Sequence, residues 1–198
     1  MSNEAKTIVT KTFSAREDWW HNACLNFSHD ARYLYADGYK RAAELVCEHA
    51  CGERGELDIL IYPAVFLYRH YIELTLKMLL EDTSELTDAP QKPKPNHKLP
   101  GLWAQVKGLL AEVFPESENV PPPNVGDVIQ AFAELDPGAT AFRYPTTREG
   151  EQSLEGIRHI NLAKLQEQLQ PMIEFLEGAG AGVSHYLDEK RSYERDWY

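Results

Sequence analysis

The chain has 198 residues, 43% of them hydrophobic and 26% charged, which is enough for one domain with a full core and excludes wholesale disorder. A formal net charge of −11 excludes a broad basic surface for duplex DNA, yet leaves room for a small basic pocket that holds one nucleotide or one RNA strand. No apolar run reaches the roughly 18–20 residues needed to span a bilayer, so no membrane partner is expected, and Cys24, Cys47 and Cys51 lack disulfide-framework spacing, which points to a reducing cytoplasm.

Residues 1–13 read as a flexible leader and 14–198 as a single helical domain. A first helical region is predicted from Ser14 to Ala50, interrupted near Asn26–Ser28, with Ala31, Leu34, Tyr35, Gly38, Ala42, Leu45 and Val46 on one face. The glycines of Cys51-Gly52-Glu53-Arg54-Gly55 stop it. A second helix is predicted over Leu57–Leu80, with Pro63 in its first turn or at a kink. Its first half, Ile59–Tyr68, carries no charge on any side, which predicts a position at the centre of a bundle.

Asp82–His97 reads as a loop, because Pro90, Pro93 and Pro95 deny helix. The third helix carries the stripe Leu99, Leu102, Trp103, Val106, Leu109, Leu110 and Val113. Pro115 and Pro121-Pro122-Pro123 break it, and Asn124 is the expected cap of a fourth helix built on Val125, Val128, Ile129, Phe132 and Leu135. After Asp136-Pro137-Gly138, residues 141–160 form a small β-hairpin or an irregular loop. Asn161 then caps the last long helix, whose stripe runs from Leu162 through Leu169, Met172, Ile173, Leu176 and Val183 to Leu187. Pro171 and the glycine-alanine run 178–182 mark points of kinking or close helix contact. The expected fold is all-α: a bundle of about five helices with a short insertion before the last.

Three groups of residues are candidates for chemistry. Arg69, Glu73 and Lys77 recur every fourth residue, so they share one face of the second helix, with His70 beside them. A buried charge without a partner is expensive, so this stripe faces either solvent, a polar crevice or complementary charges. In a polar pocket Arg69 would hold a phosphate; otherwise the stripe is a self-paired face. His97, just before the third helix, is suited to proton transfer or to donation toward phosphate, or else serves the helix start. Arg143, in Phe142-Arg143-Tyr144-Pro145, sits between aromatics. It would either meet a phosphate or tie its loop to Glu73, Asp127 or Asp136. Trp19-Trp20 offers stacking surfaces or a packed anchor, and Tyr193–Tyr198 is a polar, aromatic docking segment. Cys47-Glu48-His49-Ala50-Cys51 does not close a metal site, since His49 points away from the face that the two cysteines share on a helix. No metal and no cofactor are expected.

The run Tyr71-Ile72-Glu73-Leu74-Thr75-Leu76-Lys77-Met78-Leu79-Leu80, then His97-Lys98-Leu99 with Leu102-Trp103, then Arg143-Tyr144-Pro145 before a long final helix resembles the HEPN superfamily of helical domains. The resemblance covers roughly Asp30 to Glu189. It implies a helical bundle of bacterial conflict or defence type that binds nucleotide or RNA phosphate, often as a homodimer. Some members of the superfamily are metal-independent ribonucleases, and others are non-catalytic modules for nucleotides or partner proteins. Nuclease members carry an arginine and a histidine separated by four to six residues. Here that spacing occurs at Arg16 and His21, outside the matched region, and neither Arg69 nor Arg143 has such a histidine. The resemblance therefore implies a site assembled across the fold. His97, Arg143 and Arg69 would be its catalytic candidates, and His70, Glu73, Lys77 and Tyr144 its binding candidates. The rival reading is a protein–protein interaction module in which these residues form a structural charge network.

Overall fold

The computed structural model describes residues 12, 19–25, 28, 30–52, 55–88, 97–115 and 121–196. Almost all of the expected leader lies outside them, as do Arg16, Pro90, Pro93, Pro95, Trp197 and Tyr198. By its internal contacts the chain divides into a short unit, Met1–Ala31, and a large one, Arg32–Tyr198. In the short unit Trp19–His21 make a single 3-10 turn, and the exposed Trp19 and Trp20 indoles meet edge to face at 5.7 Å. Ser14–Asp18 lie outside the described residues and Asn22–Leu25 is not helical, so the expected first helical region is found from Ala31 onward. Local bonding competes with helix there: the Ser28 hydroxyl donates to the Asp30 carbonyl.

The described residues hold five α-helices: α1 (Ala31–Gly52), α2 (Leu57–Leu86), α3 (Leu99–Val113), α4 (Asn124–Leu135) and α5 (Leu162–Asp196). The expected all-α class and helix number hold. α2 packs against α3 and α5, and α4 closes the circuit between those two. The stripes of α3, α4 and α5 turn inward as their periodicity predicts. Leu102, Val106, Ile129, Phe132, Leu169, Met172 and Leu176 are all buried in one cluster with Ile72, Leu76 and Leu79 of α2. Pro171 and the glycine run lie within continuous helix.

α1 departs from its expected face. Its buried residues are the small ones, Ala36, Ala43, Cys47 and Ala50, whereas Leu34, Tyr35 and Leu45 are exposed. Ion pairs fix that orientation: Arg32 reaches Glu81 and Asp82 of α2 at 2.9 and 2.8 Å, and Lys40 meets Glu177 of α5. The buried Cys47 also bonds Tyr68 of α2, and burial pushes the thiol up to about 11 and the phenol up to about 12. Polar ties and a seam of small side chains thus outweigh the larger apolar stripe.

α2 is central only from Ala64 onward. Leu57, Ile59 and Tyr62 are exposed, so the expectation that all of Ile59–Tyr68 sits at the bundle centre fails for its first turns. At the other end the helix runs six residues past Leu80, through a stretch read as loop. Two contacts carry that extension. Thr83 returns its hydroxyl proton to the Leu79 carbonyl at 2.6 Å, and Lys190 of α5 donates to the terminal carbonyls of Glu85 and Leu86 and to Asp88.

Asn161 caps α5 as its sequence suggests, accepting the Lys164 N–H at 3.0 Å. Asn124 does not cap α4. Asn124 is the first residue of the helix, Pro123 holds the cap position, and the Asn124 amide instead donates to the Gln168 carbonyl of α5. Between α4 and α5 the chain is irregular, with one isolated antiparallel bridge, Thr146 to Gln152.

Candidate functional site

The stripe of α2 becomes a charge cluster centred on the buried Glu73, with Lys77 half-buried and the His97 imidazole exposed. Arg69 and Glu73 are each 2% exposed. One guanidinium nitrogen of Arg69 donates to Glu73 Oε2 and another to the His97 carbonyl, both at 3.2 Å. Lys77 Nζ donates to Glu73 Oε1 at 2.7 Å, and His97 Nδ1 lies 2.6 Å from the same oxygen. Burial pushes the Glu73 carboxyl up, but the hydrogen bonds from Lys77 and His97 outweigh it and leave the group below its ordinary value.

Asp136, fully buried at the end of α4, completes the cluster. Its Oδ1 accepts the N–H groups of Thr140 and Ala141 at 2.7 and 2.9 Å, which turns the loop back over α2. Its Oδ2 faces Arg69 Nε at 3.7 Å, an electrostatic contact too long for a hydrogen bond. Arg69 therefore answers two carboxylates and a carbonyl inside the protein. Such a guanidinium does not reach a ligand in solvent.

Arg143 stands apart from this cluster. It is exposed; its Nε donates to the Ala139 carbonyl at 2.9 Å, and Ala139 holds the left-handed conformation (φ 57) that aims that carbonyl. Its guanidinium carbon lies 5.4 Å from the Phe66 ring centre and 5.5 Å from that of Tyr144. Among the described residues no carboxylate pairs with it. His70, expected beside the charge stripe, is half-buried against aromatic rings instead. It meets Tyr39 edge to face at 4.4 Å and stacks on Phe66 at 5.7 Å. Burial lowers its pKa, and the opposing pull of Glu73 is met by Lys77, Arg69 and Arg143.

Arg143 and Tyr144 line a groove of about 1050 Å³ between the exposed start of α2 and the loop that precedes α5. Leu57, Ile61 and Ile157 give it an apolar lining, and Tyr62, Arg158 and His159 add an aromatic ring, a second guanidinium and an imidazole. The Arg158 side chain has no ion-pair or hydrogen-bond partner among the described residues. Asp58 is the one acidic residue in the lining. A second groove, of about 1060 Å³, shares Arg143, Tyr144 and Pro145 as a common wall and adds Arg148 and Glu149. Arg69, Glu73, Lys77 and His97 line neither groove.

No protein-family model, curated protein or solved structure matches this chain.

The fold thus gathers Arg69, Glu73, Lys77 and His97 around one carboxylate and sets Arg143 and Tyr144 in a separate, open site. Tyr62, Arg158 and His159 were not singled out from the sequence, since nothing in their spacing marks residues that only loop folding brings beside Arg143. Composition does not mark them either, since Glu149, Glu151 and Glu155 accompany the three arginines of Arg143–His159. Among the described residues no group of three or more His, Cys, Asp or Glu side chains is arranged to hold a metal ion, and no helix is long and apolar enough to cross a membrane. Cys47 is buried, whereas Cys51 and His49 are exposed and His49 contacts Glu56 at 2.9 Å.

Proposed function

We propose that the chain is a HEPN-like protein that binds the phosphate of a nucleotide or of RNA in the Arg143–Arg158 groove, with the Glu73 cluster as the frame behind it. The observation that supports this reading is a local reversal of charge. In a protein of net charge −11, this groove carries two guanidiniums and an imidazole against one carboxylate. A phosphate offers the acceptor geometry that a planar guanidinium matches, and Tyr62 and Tyr144 offer ring faces to a base. If phosphodiester cleavage takes place, the arginines would stabilise the developing negative charge and His159 would move the proton, with no metal required. His97 and Arg69 then act through the frame and not on the ligand. Work as a homodimer in bacterial conflict or defence belongs to the same reading and rests on the family resemblance.

The test is titration of the full chain with AMP and with a single-stranded uridine hexamer, together with an RNA cleavage assay in excess chelator. Arg143→Ala is expected to weaken AMP binding about tenfold, the scale of one charge-assisted contact, while His97→Ala leaves affinity near wild type. Equal affinity of wild type and Arg143→Ala, or cleavage that is unchanged in Arg143→Ala, removes the groove as the site.

A second reading, a non-catalytic module that binds a partner protein, is favoured by one observation. Leu34 and Leu45 lie exposed along the outer side of α1, a surface that a monomer leaves in water at some cost.

A further inference from the structure

The Arg143 guanidinium is useful to a ligand only if its two terminal nitrogens face outward in a fixed posture. A free arginine on a loop samples many rotamers, and that freedom is lost on binding. Two things restrain it here. The Ala139 carbonyl takes its Nε–H, which orients the plane of the group. The Phe66 ring lies 5.4 Å from its central carbon, so the negative face of the ring holds the cation.

Phe66 is itself restrained. It stacks on His70 with ring planes 12° apart, and His70 meets Tyr39 of α1 edge to face. The contacts run without a break from Tyr39 through His70 and Phe66 to Arg143 and Tyr144. They link α1, α2 and the loop that walls the groove. His70 is half-buried among these rings, with Glu73, Lys77, Arg69 and Arg143 as the charged groups acting on it.

We infer that Phe66 is the positioning residue of the anion site: its ring, held by His70 and Tyr39, pre-orients Arg143 toward the groove. This rests on the groove being the binding site, as proposed above. The ligand it serves is a phosphate monoester or diester, because the posture leaves the paired terminal N–H groups of the guanidinium available as a fork.

The experiment compares wild type, Phe66→Leu, Phe66→Tyr, Arg143→Ala and the double variant Phe66→Leu/Arg143→Ala, each as the full chain, with AMP as the probe. Phe66→Leu is expected to weaken AMP about three- to fivefold, the scale of an exposed cation–ring contact. Phe66→Tyr, which keeps the ring, restores binding to near wild type. Phe66→Leu has no further effect once Arg143 is alanine, because the two residues act on one term. Equal losses in the leucine and tyrosine variants, or an undiminished loss in the Arg143→Ala background, overturn the inference and leave Phe66 as packing alone. A ligand-free readout separates this from failure of the site itself. The Arg143 side-chain NMR signals are expected to be shifted upfield by the Phe66 ring current, with the shift lost in Phe66→Leu and kept in Phe66→Tyr. An Arg143 signal unchanged by Phe66→Leu overturns the inference whether or not AMP binds. A ring-dependent signal with no effect of Arg143→Ala on AMP keeps the positioning and removes the groove.

Discussion

Arg69 and Arg143 are both phosphate candidates by sequence, and the fold gives them opposite surroundings. Arg69 is enclosed between Glu73 and Asp136, whereas Arg143 lies in the open on the Phe66 and Tyr144 rings. A guanidinium taken out of water requires anions and hydrogen bonds from the protein, and once these are present it has little left to offer a ligand. A guanidinium at the surface needs no counter-charge. Only its posture has to be set, and ring faces do that without neutralising it. Burial of an arginine therefore argues for a structural role, and the pairing around Arg69 supports that argument.

The comparison breaks most sharply at Glu73. Glu73→Gln leaves Arg69, Lys77 and His97 without their shared carboxylate, and the expected loss is about 3 kcal/mol of stability, or about 10 °C in melting temperature for a chain of this length. A melt indistinguishable from wild type would mean that the buried charges are not coupled.

Acid titration sharpens the same point. The folded Glu73 carboxyl sits below its ordinary value of 4.5, so the unfolded chain binds its proton more readily than the folded one. The stabilisation is complete above that value and is lost as pH falls through the lower folded one. Urea melts should show the gap between wild type and Glu73→Gln narrowing as pH drops from about 6 to about 3. A constant gap would show that the carboxyl titrates normally in the folded state.

The smallest effect on stability belongs to Arg143→Ala, which should stay within about 0.5 kcal/mol of wild type, as surface changes usually do. A loss of several times that size in a thermal melt would make Arg143 a structural anchor like Arg69 and erase the contrast.

Much of the bundle was legible because burial of long apolar side chains writes a helical period into the sequence. α3, α4 and α5 each carry Leu, Val, Ile or Phe at that period. α1 misleads because its packing seam is made of Ala36, Ala43, Cys47 and Ala50, small side chains that register weakly beside Leu34 and Leu45. The far end of α2 was missed because Asp82, Thr83 and Ser84 are weak helix formers, and what sustains them arrives from Lys190, a hundred residues further along the chain. The charge cluster was half legible. The i,i+4 spacing revealed Arg69, Glu73 and Lys77 as one face, but spacing does not show that Asp136 closes over it. The groove was least legible, since Tyr62, Arg158 and His159 meet Arg143 only through an irregular loop.

The glycine run within α5 shows how unequal neighbouring positions of one composition can be. A β-carbon at Gly178 or Gly180 would meet nothing within 4 Å, so alanine there would only make the helix stiffer. At Gly182 the same carbon would stand 3.1 Å from Cζ of Phe114, the residue just past the end of α3. The ring would have to yield before the helix could gain. Reinforcing this helix is therefore open to the first two glycines, while the third is a clearance for the Phe114 ring.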